Sequence, residues 1–131
     1  MGFVGNSRPA SGSEHHLAHY WEKSFLSENL PYPMHGHSVG VACLVISDIY
    51  KFAKDKGLPD IQMPNKEIIK NMLVYYKTYI KPSEIGIKRE LFFESILKAK
   101  NIRQRYTILT WLSEKGLLEK TAGYLTKLYY N

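Results

Sequence analysis

The stretch His35-Gly-His-Ser-Val-Gly-Val-Ala-Cys-Leu-Val-Ile-Ser-Asp-Ile-Tyr-Lys-Phe-Ala-Lys-Asp-Lys56 decides the fold class. Val39, Cys43, Ile46, Tyr50 and Ala53 recur at intervals of four and three residues, which lines one face of a helix and is incompatible with the alternation of a half-buried strand. Gly57 follows the last periodic residue, where a helix is expected to end. Pro31 and Pro33 on one side, and Pro59 and Pro64 on the other, confine the helix to about His35–Lys56.

The same reading extends in both directions. Residues 1–12 are rich in Gly, Ser and Pro and read as a loop, with Ser11 or Ser13 available to cap a first helix from about Ser13 to Glu28. Asn65 caps a third helix expected to reach Ile80, because Ile68, Ile69, Met72, Leu73, Tyr76 and Ile80 keep the helical period. The segment Pro82–Gly86 interrupts it. A fourth helix is expected over Lys88–Lys100, a fifth over Gln104–Lys115 ended by Gly116, and a short sixth over Ala122–Tyr129. No alternation persists long enough for a sheet, and no internal repeat is evident. The expectation is one all-α domain spanning residues 1–131.

Composition narrows the function classes. With 131 residues and 44% hydrophobic content, the chain can bury a modest core. Its single cysteine, Cys43, excludes an internal disulfide and favours a reducing, cytoplasmic setting. Met1-Gly-Phe-Val-Gly5 lacks the features of a signal peptide, and the apolar run Val39–Ile46 is too short to span a membrane. The net charge of +6 is unevenly placed: residues 1–50 carry −2 and residues 51–131 carry +8. That asymmetry suits an anionic ligand or nucleic acid, and equally a lysine-rich solvated surface. Thr107-Ile-Leu-Thr-Trp-Leu-Ser-Glu-Lys-Gly-Leu-Leu118 also reads like the close of a small winged helix. Its Ile108, Leu109, Trp111, Leu112, Leu117 and Leu118 look like core, however, so nucleic-acid binding is not expected.

All five histidines fall between His15 and His37. His15 and His19 are four residues apart on a helix, so their imidazoles share a face about 6 Å apart along the axis. His35 follows in the next segment. Paired helical histidines with a third in a later loop form a skeleton for a divalent metal site. The connection from Glu28 to His35 can extend roughly 24 Å, enough to bring His35 back over the ~20 Å between Glu28 and His15. His16 points about 100° away and either packs or faces solvent, while His37 reads as a surface residue. Glu14 can orient an imidazole or simply favour the positive end of its helix.

The string Gly5-Asn-Ser-Arg-Pro-Ala-Ser-Gly-Ser-Glu-His-His-Leu-Ala-His-Tyr-Trp-Glu22 resembles the metal-binding region of the sn-glycerol-1-phosphate dehydrogenases, within the iron-containing alcohol dehydrogenase and glycerol dehydrogenase superfamily. Met34-His-Gly-His-Ser-Val-Gly40 is similar to that family's His-Gly-x-x-Val-Gly element, and Arg103-Gln-Arg-Tyr-Thr-Ile-Leu109 to its Arg-x-Arg-Tyr-Thr segment. The resemblance implies the C-terminal helical domain of that dehydroquinate synthase-like fold. It makes His15 and His35 metal ligands and His19 a catalytic histidine facing substrate or nicotinamide. Arg8 becomes a candidate for the substrate phosphate, through bidentate pairing, or else for a loop-bracing ion pair. The implied metal is zinc, with nickel or iron in relatives. The implied reaction reduces dihydroxyacetone phosphate to sn-glycerol 1-phosphate with NADH or NADPH, a step towards phospholipids.

One departure qualifies this. Enzymes of the family are about three times as long, begin with a nucleotide-binding α/β domain, and carry an aspartate ligand upstream of the first histidine. Gly2-Phe-Val-Gly5 is too short for a dinucleotide loop, and Asp48, Asp55 and Asp60 all follow His35. The sequence alone therefore suggests that Met1 is an internal methionine of a longer ancestor. It suggests a chain that is inactive by itself and needs a nucleotide-binding domain or partner chain for NAD(P). A non-catalytic remnant or interaction subunit fits the same motifs, and homo-oligomer formation stays open.

Overall fold

The computed structural model describes residues 13–29, 35–58, 66–75, 78–101 and 107–130. Among these, six α-helices account for most of the chain: α1 (Ser13–Ser27), α2 (His35–Asp55), α3 (Lys66–Tyr75), α4 (Arg89–Lys98), α5 (Ile108–Glu114) and α6 (Leu118–Tyr130). Short 3-10 turns lie at Pro82–Ile85 and Ala99–Asn101. The all-α expectation holds.

The central helix is α2, which packs on α1, α3, α5 and α6. Its expected apolar face is real but narrower than the buried surface. Val41, Ala42, Leu44, Val45, Ile46, Ile49, Tyr50 and Ala53 are all buried, so the helix is enclosed on more than one side. Its end follows from backbone chemistry. Gly57 adopts φ 109°, and the Leu58 N–H then donates back to the Ala53 carbonyl at 3.0 Å. This left-handed cap satisfies carbonyls that would otherwise be orphaned, and a residue with a Cβ resists it. Gly116, at φ 70°, closes α5 in the same way.

The helix α1 buries Leu17, Ala18, Trp21 and Phe25, the stripe that faces α2 and α4. Trp21 is fully buried, and its indole Nε1 donates to Ser95 Oγ on α4 at 2.9 Å. A large apolar ring is thereby buried without leaving its N–H unpaired. Opposite, α6 packs on α4, where Tyr129 and Tyr130 flank the buried Phe92 with ring centroids 5.6 Å and 5.3 Å away. The Tyr130 hydroxyl donates to the Ile87 carbonyl at 2.6 Å. Thr107 caps α5: its hydroxyl accepts from the Leu109 N–H at 3.2 Å, while Thr110 Oγ1 accepts from the Thr107 N–H. Ile108, Leu109, Leu112 and Leu118 are core residues, and Trp111 and Leu117 pack against that core half-buried.

Three boundaries differ from the expectation: the fifth helix, expected from Gln104, begins at Ile108, because Thr107 is extended and serves as its cap. The sixth helix begins at Leu118, four residues earlier than expected. The third, expected to run to Ile80, is helical over Lys66–Tyr75, and residues 78–80 are not helical. The chain has left the i→i−4 pattern before Ile80, since the Thr78 N–H donates to the Leu73 carbonyl at 2.9 Å. The carboxylate of Glu84 accepts from the Ile80 and Lys81 N–H groups at 3.0 Å and 3.1 Å, fixing the start of the following turn and removing Ile80 from any helix.

Candidate functional site

Local geometry puts His15 and His19 where their spacing requires. Both lie on the outward side of α1, exposed, one turn apart, while Leu17, Ala18 and Trp21 hold the opposite side in the core. His16 is only 2% exposed and packs inward, one of its two expected alternatives. His37 is half-buried and meets Tyr79 edge-to-face at 5.0 Å, so it is less of a surface residue than expected.

Glu14 lies behind the pair. Its carboxylate is 3.7 Å from His15 Nδ1, and its side chain keeps 12% of its exposure against 53% for His15. It also faces α2. Burial, reinforced by the Glu14 charge, pushes the Cys43 thiol up to about 12 and raises the Tyr50 phenol well above its usual range. Cys43 is therefore a neutral thiol at physiological pH and no nucleophile. The buried Tyr50 hydroxyl has no hydrogen-bond partner among the described residues. Glu14 thus joins the exposed histidine face to the α1–α2 interface, which suits a carboxylate that steadies an imidazole through Nδ1.

The other expected residues are less completely placed. His35 is the first residue of α2, and its side chain lies outside what is described. Arg8 lies outside the described residues altogether. Among the described residues, no group of three His, Cys, Asp or Glu side chains is gathered closely enough to hold a metal ion. His15 and His19 supply two borderline-soft nitrogen donors on one accessible face, the donor type a zinc-like ion takes. The residues present are compatible with such a group without forming a complete set by themselves.

Asp48 is a polar centre that the sequence reading passed over, beyond observing that it follows His35. It is buried within α2 and accepts from Lys66 Nζ on α3 at 2.9 Å and from the Tyr129 hydroxyl on α6. Its role is to tie three helices together. The available signal was its register, since a carboxylate within the densest apolar run of the chain needs partners.

These features define an all-helical unit that presents a histidine pair on its first helix. No family model matches the chain. The chain is homologous to glycerol-1-phosphate dehydrogenases [NAD(P)+] over most of its own length. It is 32% identical to that of Halalkalibacterium halodurans over 87% of this chain and 34% of the relative. It is 35% identical to that of Bacillus velezensis over 88% of this chain and 33% of the relative. With that of Haloquadratum walsbyi it shares 35% identity over 83% of the chain and 28% of the relative. The chain spans about a third of the length of these relatives.

Proposed function

We propose that this chain supplies the metal- and substrate-binding part of a cytoplasmic glycerol-1-phosphate dehydrogenase, which reduces dihydroxyacetone phosphate to sn-glycerol 1-phosphate at the expense of NADH or NADPH. The observation that carries this reading is the coincidence of two facts. The homology to those dehydrogenases runs along nearly the whole chain, and the histidine pair on α1 stands on an accessible face with a carboxylate behind it.

In this reading His15 and His35 hold a divalent ion, zinc in first place and nickel or iron as alternatives. Bound there, the ion would polarise the substrate carbonyl as a Lewis acid. Glu14, with its carboxylate 3.7 Å from His15 Nδ1, supplies a negative charge beside that ring and favours a cation held on it. His19, one turn along the same face, stands beside the reacting carbons and holds or delivers the proton that the new alcohol requires. Arg8 pairs with the substrate phosphate. Binding of the nicotinamide cofactor is assigned to a nucleotide-binding domain or partner chain beyond these 131 residues.

Zinc affinity, measured by isothermal titration calorimetry on the 131-residue chain, tests this reading independently of catalysis. Weak binding is expected, well short of a complete three-ligand site, and the His15→Ala/His35→Ala double variant should abolish it. Unchanged affinity in that variant would overturn the assignment. The chain alone is expected to leave NADPH unoxidised in the presence of dihydroxyacetone phosphate.

A further inference from the structure

Thr126 on α6 is 3% exposed, and its hydroxyl makes no hydrogen bond among the described residues. Thr121 on the same helix shows the usual solution: its hydroxyl donates to the Leu117 carbonyl, four residues back, at 2.8 Å. A buried hydroxyl left unpaired costs stability, so Thr126 calls for a partner that its own helix does not supply. It lines a groove of about 400 Å³ between α4 and α6. Arg89 and Glu90 stand at the start of α4, with Phe93 and Glu94 one turn, about 6 Å, further along. Gly123 completes the α6 wall. A Cβ added at Gly123 would meet no neighbouring atom within 4 Å, so the groove runs over bare backbone there. A concavity of this size holds a small molecule.

The charges on the walls are of both signs. Arg89 and Glu90 are exposed, and neither is ion-paired with a described residue. Glu94 is the third charged group, and its carboxylate already accepts from the Tyr20 hydroxyl. That leaves one cation and one anion side by side at the same end of the groove. A planar guanidinium pairs bidentately with a carboxylate, and Glu90 pairs with an ammonium. The two together match the zwitterionic head of an α-amino acid. The half-buried Phe93 offers an aromatic wall one turn away, at the reach of a tyrosine-sized side chain, with Thr126 and Gly123 opposite.

We propose that the α4–α6 groove binds a free aromatic α-amino acid carrying a polar ring substituent, of which tyrosine is the type. Arg89 and Glu90 hold its carboxylate and ammonium, and its ring lies between Phe93 and Gly123. The ring hydroxyl pairs with Thr126, which gives that buried group the partner it lacks. No residue assigned to the dehydrogenase reaction takes part, so the site stands apart from the functional reading above.

The test is an amide-resolved NMR titration of the full chain with L-tyrosine, L-phenylalanine and tyramine, the last lacking the carboxylate. Tyrosine should shift the amides of Glu90, Phe93, Gly123 and Thr126. Phenylalanine should bind about tenfold more weakly for want of the hydroxyl, and tyramine should lose the contribution of Arg89. The Thr126→Val variant keeps the shape of the side chain and should erase the advantage of tyrosine while leaving phenylalanine unchanged. It should also raise the melting temperature, because an unpaired hydroxyl is removed from the interior. A lower melting temperature would show that Thr126 is already satisfied and would overturn the proposal. Gly123→Leu fills the groove from a position with open space around it, so helicity should persist while all binding is lost. Equal affinity for tyrosine and phenylalanine, or undiminished binding by Gly123→Leu, would overturn the proposal as well.

Discussion

The thiol of Cys43 and the phenol of Tyr20 both lie at about 12, and Tyr50, Tyr129 and Tyr130 are raised further still, each chiefly because burial penalises the ionised form. The consequence for Cys43 is chemical. Thiolate fraction falls tenfold per unit, so at about pH 8 iodoacetamide should alkylate the folded chain roughly two to three orders of magnitude more slowly than the denatured one. Equal rates would show that Cys43 is not shielded in the way its surroundings imply. The consequence for stability has a definite sign. Each of these acids is harder to ionise folded than unfolded, so rising pH draws protons from the unfolded chain first. The melting temperature should be flat between about pH 7 and 8.5 and fall above about 9, with each fully protected group contributing up to about 1.4 kcal/mol per pH unit. A melting temperature constant to pH 11, followed by circular dichroism, would contradict it.

Among the elements, α3 is held least. It has no buried residue, and its anchors are the Lys66–Asp48 ion pair and the contact of Leu73 with α2 at Gly40, where even a Cβ would come within 2.9 Å of Leu73 Cδ2. Asp48→Ala should therefore cost about 1–3 kcal/mol and accelerate amide exchange selectively across Lys66–Tyr75, because Lys66 and Tyr129 lose their shared acceptor. Uniform acceleration in every helix would mean that Asp48 supports the whole core instead. The contrast is Phe92, fully buried among Tyr129 and Tyr130, where truncation to Ala should cost about 3–5 kcal/mol and destabilise all helices together. The short α3 was also the element read least well. Hydrophobic period carried the expected helix to Ile80, but the Thr78 N–H donates to the Leu73 carbonyl and the Ile80 N–H to the Glu84 carboxylate, hydrogen-bonding events to which periodicity is blind.

Over the whole molecule, apolar surface is unevenly covered. Ile68, Met72, Val74 and Tyr75 on α3 are all more than half exposed, the densest such group among the described residues. An uncovered apolar surface of this kind favours self-association. Sedimentation velocity should show concentration-dependent association of the chain, relieved by Ile68→Lys/Met72→Lys without loss of helicity. A chain that stays monomeric at high concentration would refute this. None of the helices, among the described residues, is long and apolar enough to cross a membrane.

The sequence by itself determined the helical class, because spacing such as that of Val39, Cys43, Ile46, Tyr50 and Ala53 is a local property enforced by the 3.6-residue turn. It likewise determined that His15 and His19 share a face, since four residues on one helix admit no other arrangement. Only the tertiary structure decided that Glu14 links the histidine face to Cys43 and Tyr50, and that Asp48 joins three helices. Those relations join residues up to 81 positions apart, and they depend on how the helices pack rather than on the period of any one of them.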